Sequence, residues 1–131
     1  VPQGAFAQAQ ARALCAYLCA TVHVAFAHIK RGRRWADGDD TLHDMRGVAA
    51  RNLRDCAALL ESQLALDPWA LGKVYSFCDP YLFLLDRWLA AGDVSLADYP
   101  KLAAHHRTMQ ARPATQTALA LHGLMGAADG A

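Results

Sequence analysis

The chain has 131 residues, of which 54% are hydrophobic and 19% charged, with a formal net charge of +1. That is one domain with room for its own core, and so small a net charge argues against nucleic acid as the main partner. No apolar run reads as approaching the ~20 residues that span a bilayer, so no membrane partner is expected. The opening VPQGAF has no basic region, cleavage pattern or initiator Met. The expectation is a chain without a secretory signal that is processed, truncated or cut from something longer.

The first helix is expected from about Phe6 to about Ile29, because Leu14, Leu18, Val22, Ala25 and Ile29 follow the 3.6-residue period. A second stripe of Cys15, Cys19, His23, Phe26 and Lys30 runs beside it, as for a helix that packs on two sides. The segment KRGRRWADGDD, from Lys30, reads as loop, with Gly32 and Gly38 as breakers. A second helix follows from about Thr41 to Leu66, carried by Leu42, Met45, Ala49, Leu53, Cys56, Leu60 and Leu64. DPWALGKV is a short connection. A third helix then runs from Ser76 to about Ala91, with Tyr81, Leu84, Leu85, Trp88 and Leu89 on one face and Gly92 beyond its end.

The start of that helix is explicit. Ser76 can accept from the N–H of Asp79, and the Asp79 carboxylate can reach back to the N–H of Ser76, a capping box with Asp in place of the usual Glu or Gln. Asp79 also puts negative charge at the positive end of the helix, while Pro80 disfavours helical geometry just before it. So marked a cap on so apolar a helix predicts a start buried in the core. Asp98 and Pro100 mark a fourth helix, Pro113 a fifth, and the Gly-rich tail 122–131 is expected to be mobile. No segment alternates with period two, so the class is all-α, a bundle of about five helices.

The four cysteines, Cys15, Cys19, Cys56 and Cys78, form no CxxC pair, and Cys15 and Cys19 are badly oriented for a disulfide on one helix. They read as buried thiols in a reducing cytoplasm. Cys19 and His23 could share a metal, with His105 and His106 as further donors, but adjacent helical side chains point about 100° apart. Four converging ligands are not visible, and no metal is expected. No Ser–His–Asp, paired-carboxylate or Gly-rich phosphate motif stands out.

Taken in order, AYLCATVHVAFAHI, the basic loop to RWAD, the long second helix, PWALGKVYSFCDPYLF, Trp88 and DYPKLAAHHRTMQARPATQTAL resemble the C-terminal helical domain of glutathione S-transferases. The likeness runs from about Ala13 to Leu121 and looks closest to bacterial, beta-like members. It implies that Ser76 and Asp79 are folding residues. It also implies a preceding thioredoxin-like domain that holds most glutathione contacts and the thiol-activating residue. Nothing in this sequence reads as βαβ, so that domain is expected to be absent here and no catalytic residue is assigned to this chain.

The function implied is the substrate-side half of a glutathione transferase, supplying the hydrophobic electrophile pocket for conjugation, in a cytoplasmic homodimer that detoxifies. Glutathione would be co-substrate rather than cofactor. The alternative is a non-enzymatic interaction module, since such helical domains recur as docking parts. By the resemblance, His23 lines the glutathione cleft, although Val24 stands where the family often has Lys. A His at the edge of the helical core is the competing reading. Phe26, Trp35 and Trp88 are candidates for the electrophile wall, against ordinary core packing. Lys30, Arg31, Arg33 and Arg34 could attract an anionic tripeptide, or form a solvated loop balanced by Asp37, Asp39 and Asp40.

Overall fold

Helices α1 (Ala5–Tyr17) and α2 (His23–Arg31) are one continuous rod in which Leu18–Val22 takes π geometry. The structure, a computed structural model, describes residues 2–124. The rod covers the expected first helix and extends it past Ile29. Lys30 and Arg31 are therefore helical rather than loop, and Gly32–Arg34 add one 3-10 turn. The turn is pressed onto the next helix: a Cβ on Gly32 would meet Leu42 Cδ2 at 2.8 Å.

Helix α3 (Asp39–Gln63) starts two residues before the expected Thr41. That places Asp39 and Asp40 in its first turn, where the partial positive charge of the helix end favours them. It stops at Gln63 rather than Leu66 because Leu64 turns extended, with φ −85° and ψ 147°.

Helix α4 (Cys78–Asp86) is shorter than the expected Ser76–Ala91. A separate 3-10 turn, Leu89–Gly92, follows and ends on Asp93 with φ 55°. Close packing explains the break. A Cβ on Gly92 would lie 2.8 Å from Leu53 Cδ1 and 3.4 Å from the Ala50 Cα, so the chain must bend to seat this turn against α3.

Helices α5 (Pro100–Gln110) and α6 (Pro113–Leu121) both begin with Pro in the first turn, as expected. α6 closes through bonds from Leu124 N–H to the Leu119 carbonyl (2.8 Å) and from Gly123 N–H to the Ala120 carbonyl (3.1 Å). This is the Schellman pattern, and it needs the positive φ of 65° that Gly123 supplies. Within the expected mobile tail, residues 122–124 thus form an ordered turn, and the rest lies outside the described residues. Counting the rod as one, the described residues hold five α-helices and no strand beyond an isolated bridge between Trp69 and Gly72.

The core is one cluster. Leu14, Leu18, Val22 and Ala25 of the rod meet Leu53, Cys56, Ala57 and Leu60 of α3, with Leu82, Leu85, Leu89 and Leu102 completing it. The cysteines divide differently from the expectation: Cys56 and Cys78 are buried, Cys15 is half-buried and Cys19 is exposed. The reading of the longest apolar run is corrected too. The stretch Ala5–Arg34 is 30 residues long with an 18-residue window of mean hydropathy 1.4, enough by length and composition alone to cross a bilayer. Its alanines made this easy to miss. Its leucine stripe, however, is spent on the bundle core.

The centre of the fold is the Asp79 carboxylate, which is fully buried. Oδ2 accepts from the Ser76 N–H (2.6 Å) and the Ser76 hydroxyl (3.1 Å). Oδ1 accepts from the Ala70 N–H (2.7 Å) and lies 3.0 Å from His105 Nε2. The reach-back half of the capping box is therefore present. The other half differs: the Ser76 hydroxyl takes the N–H of Cys78 (3.2 Å), while the Asp79 N–H bonds the Ser76 carbonyl (3.2 Å). Asp86 stands behind the ring, 3.8 Å from His105 Nδ1 and 3.9 Å from His106 Nδ1, distances at which it acts through charge.

Burial alone would raise the Asp79 pKa, but the hydrogen bonds from His105, Ala70 and Ser76 outweigh it and hold the carboxyl below its ordinary value. Burial would likewise lower His105, and the two carboxylates, Asp79 and Asp86, outweigh it and hold the imidazole above the ordinary histidine value.

Two predictions follow from this cluster. Loss of a cap alone would cost ~1–2 kcal/mol. Asp79→Ala also strands a buried imidazole and the Ala70 donor, so we expect a loss of ~3–4 kcal/mol in urea unfolding. A melting temperature within a degree or so of the parent's would contradict it.

The second concerns pH. A lowered carboxyl stabilises above its unfolded pKa of about 3.9, and that contribution is lost as pH falls through the folded value. A raised imidazole stabilises below its unfolded pKa of about 6.5, and that contribution is lost as pH rises through the folded value. The gap in melting temperature between wild type and His105→Gln should therefore be widest between about pH 3.9 and about pH 6.5 and shrink as pH rises through the folded His105 value. An equal gap below and above that value would contradict the assignment.

Candidate functional site: the face around His23

His23 is the first residue after the π segment, and π turns inside α-helices are often found at functional sites. The half-buried ring lies across from α4. Its Nδ1 is 3.2 Å from the Tyr81 hydroxyl. Its plane stands nearly perpendicular to Trp88, with ring centroids 5.0 Å apart. One turn further along the rod, Phe26 stacks on Trp88 at 4.2 Å and 14°. Cys19 and Cys15 sit one and two turns before His23, on the same side.

Three of the four residues singled out for a site, His23, Phe26 and Trp88, thus form one face. Tyr81 completes it. The sequence pattern placed Tyr81 on the same stripe as Trp88 but gave no sign that its hydroxyl would find the imidazole. Burial, and then the neighbouring Cys19 thiol, push the Tyr81 pKa up, so the phenol keeps its proton near neutrality.

Trp35 stands apart. It is half exposed and stacks on His28, with centroids 4.3 Å apart. His28 lies five residues beyond His23, roughly 140° around the rod. It borders a groove of about 510 Å³ between the rod and α3, together with Tyr17, Val24, Cys56 and Leu59. A second cavity of about 320 Å³ lies among α4, α5 and α6, with Phe83, Leu84 and Met109 on its walls and Arg87 and Arg112 at its edge.

The basic run is a solvated surface. Lys30, Arg31, Arg33 and Arg34 are all exposed. Arg33 bonds the Asp37 carbonyl and pairs with the Asp39 carboxylate at 2.5 Å, both side chains being well exposed. Such a pair contributes little.

His105 and His106 are buried in the polar cluster around Asp79 and Asp86, far from a metal role. Among the described residues no three His, Cys, Asp or Glu side chains converge to hold a metal. Ser76 and Asp79 are wholly structural in their contacts. What sequence reasoning missed is that Asp86 and His105 belong to the same interior. The available signal was spacing: Leu102, His105 and Met109 share one helical stripe, so His105 occupies a core position.

No family model and no curated protein matches the chain. Solved structures do. A glutathione transferase homologue from Sulfitobacter, with bound glutathione, is 37% identical over 95% of this chain, with a TM-score of 0.87. BphK, a bacterial glutathione transferase seen in a ternary complex, is 26% identical over 94% of this chain, with a TM-score of 0.67. This chain spans 67% of the first protein's length and 58% of the second's. With an all-helical fold and this likeness, the chain belongs to the glutathione transferase family, as its C-terminal type of helical domain.

Proposed function

We propose that this chain is the electrophile-side half of a glutathione-conjugating enzyme, in which His23 and Tyr81 border the bound tripeptide and Phe26 and Trp88 border the electrophile. The observation that carries the reading is the juxtaposition of one polar pair with one stacked aromatic pair on a single face. The glutathione bound in the Sulfitobacter homologue supports it.

The roles follow from the chemistry. When the Tyr81 phenol donates to Nδ1 of His23, the ring proton resides on Nε2, and that N–H is a donor suited to a thiolate or a carboxylate. A donor aimed at the thiolate lowers the energy of the charged nucleophile. The flat Phe26–Trp88 stack offers apolar area to an aryl or alkyl electrophile. In the reaction the glutathione sulfur forms a bond to the electrophilic carbon, whose leaving group departs with its electron pair. The thiol-activating residue and most tripeptide contacts belong, in this reading, to a thioredoxin-like domain outside this chain. A cytoplasmic setting and a homodimer are part of the same proposal.

The test is steady-state conjugation of glutathione to an aryl halide by the full-length parent. We expect His23→Ala to raise KM for glutathione about tenfold, the equivalent of one charge-assisted hydrogen bond. Trp88→Ala should raise KM for the electrophile and leave that for glutathione nearly unchanged. A folded parent with no conjugating activity, or a His23→Ala enzyme with unaltered constants, would overturn the reading.

A further inference from the structure

Two thiols that the conjugation chemistry does not use meet inside the bundle. Cys15 Sγ, from α1, lies 3.5 Å from Cys78 Sγ, at the start of α4, although the two residues are 63 positions apart in sequence. Cys78 is wholly buried, its thiol 3.4 Å from the Ala11 carbonyl and its N–H held by the Ser76 hydroxyl. Cys15 is only half-buried, so solvent and small solutes can reach it. The sulfurs are van der Waals neighbours, and closing them to a bonding distance of about 2.04 Å takes side-chain rotation. Cys19, exposed and four residues along the same helix, lacks that geometry toward Cys15.

We propose that Cys15 and Cys78 are a dithiol–disulfide pair, oxidised by exchange with glutathione disulfide. The inference does not depend on the conjugation reading, because thiol exchange needs no preformed tripeptide site.

The division of labour follows from access. The Cys15 thiolate attacks one sulfur of glutathione disulfide; that S–S bond breaks, and one glutathione leaves as thiolate. The Cys78 thiolate then attacks Cys15 Sγ, and the second glutathione leaves with the bonding pair. The two protons given up by the cysteines end on the two glutathione thiolates. Two protein thiols are thereby oxidised by two electrons, and one glutathione disulfide is reduced to two glutathiones. Burial, partly offset by the Ser76 hydroxyl, pushes the Cys78 thiol up to about 12, which makes the second step the slow one near neutrality. The bond would staple the rod to the turn that opens α4, beside the Asp79 cap, and so constrain the unfolded chain over a long loop.

The experiment uses the 131-residue chain with Cys19→Ser, incubated in glutathione redox buffers, quenched in acid, alkylated and digested without reduction. We expect a Cys15–Cys78 linked peptide with the loss of two hydrogens, forming about tenfold faster per pH unit below the Cys78 pKa. Cys78→Ser should stop with one glutathione on Cys15, and Cys15→Ser should yield no linked peptide. If Cys78→Ser fails to fold, the parent itself decides: its oxidised form should melt higher than its reduced form. Cys78 remaining alkylatable on denaturation throughout an excess of glutathione disulfide, or Cys15 staying unmodified, would overturn the proposal.

Discussion

One buried carboxylate organises this bundle. Asp79 gathers two backbone N–H groups, a hydroxyl and an imidazole from three separate parts of the chain: the connection at Ala70, the turn at Ser76 and α5 at His105. A charge taken out of water is expensive unless it is paired, and both oxygens of Asp79 are paired, while His105 Nδ1 behind them meets Asp86 through charge and without a hydrogen bond. Such a site contributes less to net stability than its many contacts suggest, because an apolar substitute of equal volume could match it. Its force is in specificity. Any arrangement that moves the connection, α4 or α5 out of place leaves an uncompensated buried charge.

That constraint reaches the candidate site through α4. Asp79 fixes the helix at its first turn, and Tyr81 comes two residues later on the side that faces the rod. Trp88 follows just past the helix end, where the 3-10 turn is seated against α3 by Gly92. The rod answers with His23 and Phe26, presented immediately after its π segment. The interior cluster and the outer face are thus two sides of one short helix. Cys78, next to Asp79, makes a third connection from the same turn to the rod.

Much of this was legible in the residues. The leucine stripes of the rod and α3, the Pro-initiated helices and the Ser76–Asp79 cap each carry a local signal whose physics does not depend on distant neighbours. His23, Phe26 and Trp88 were placed on apolar stripes and do share a face, although Trp35 turns to His28 on another side. What was hidden depended on tertiary contacts. The π turn has no composition of its own, and the end of α4 at Asp86 is set by the close seat of Gly92 on α3 rather than by helix propensity. The pairing of Asp79 with His105 spans 26 positions, and either His in HHRTM reads as readily as a surface group. The exposure of Cys19 was misjudged because its stripe lies at the edge of the core, beside the fully buried Leu18, rather than within it.

The central claim is electrostatic: an ionised Asp79 is held in the interior by a His105 that keeps its proton beyond the pH at which histidines usually lose it. Heteronuclear NMR titration of the imidazole nitrogens reads this directly. The account predicts that the His105 ring shifts remain those of the cation, with both nitrogens protonated, at pH values above the ordinary histidine pKa of about 6.5. A His105 ring that is neutral already below the ordinary histidine range would contradict it.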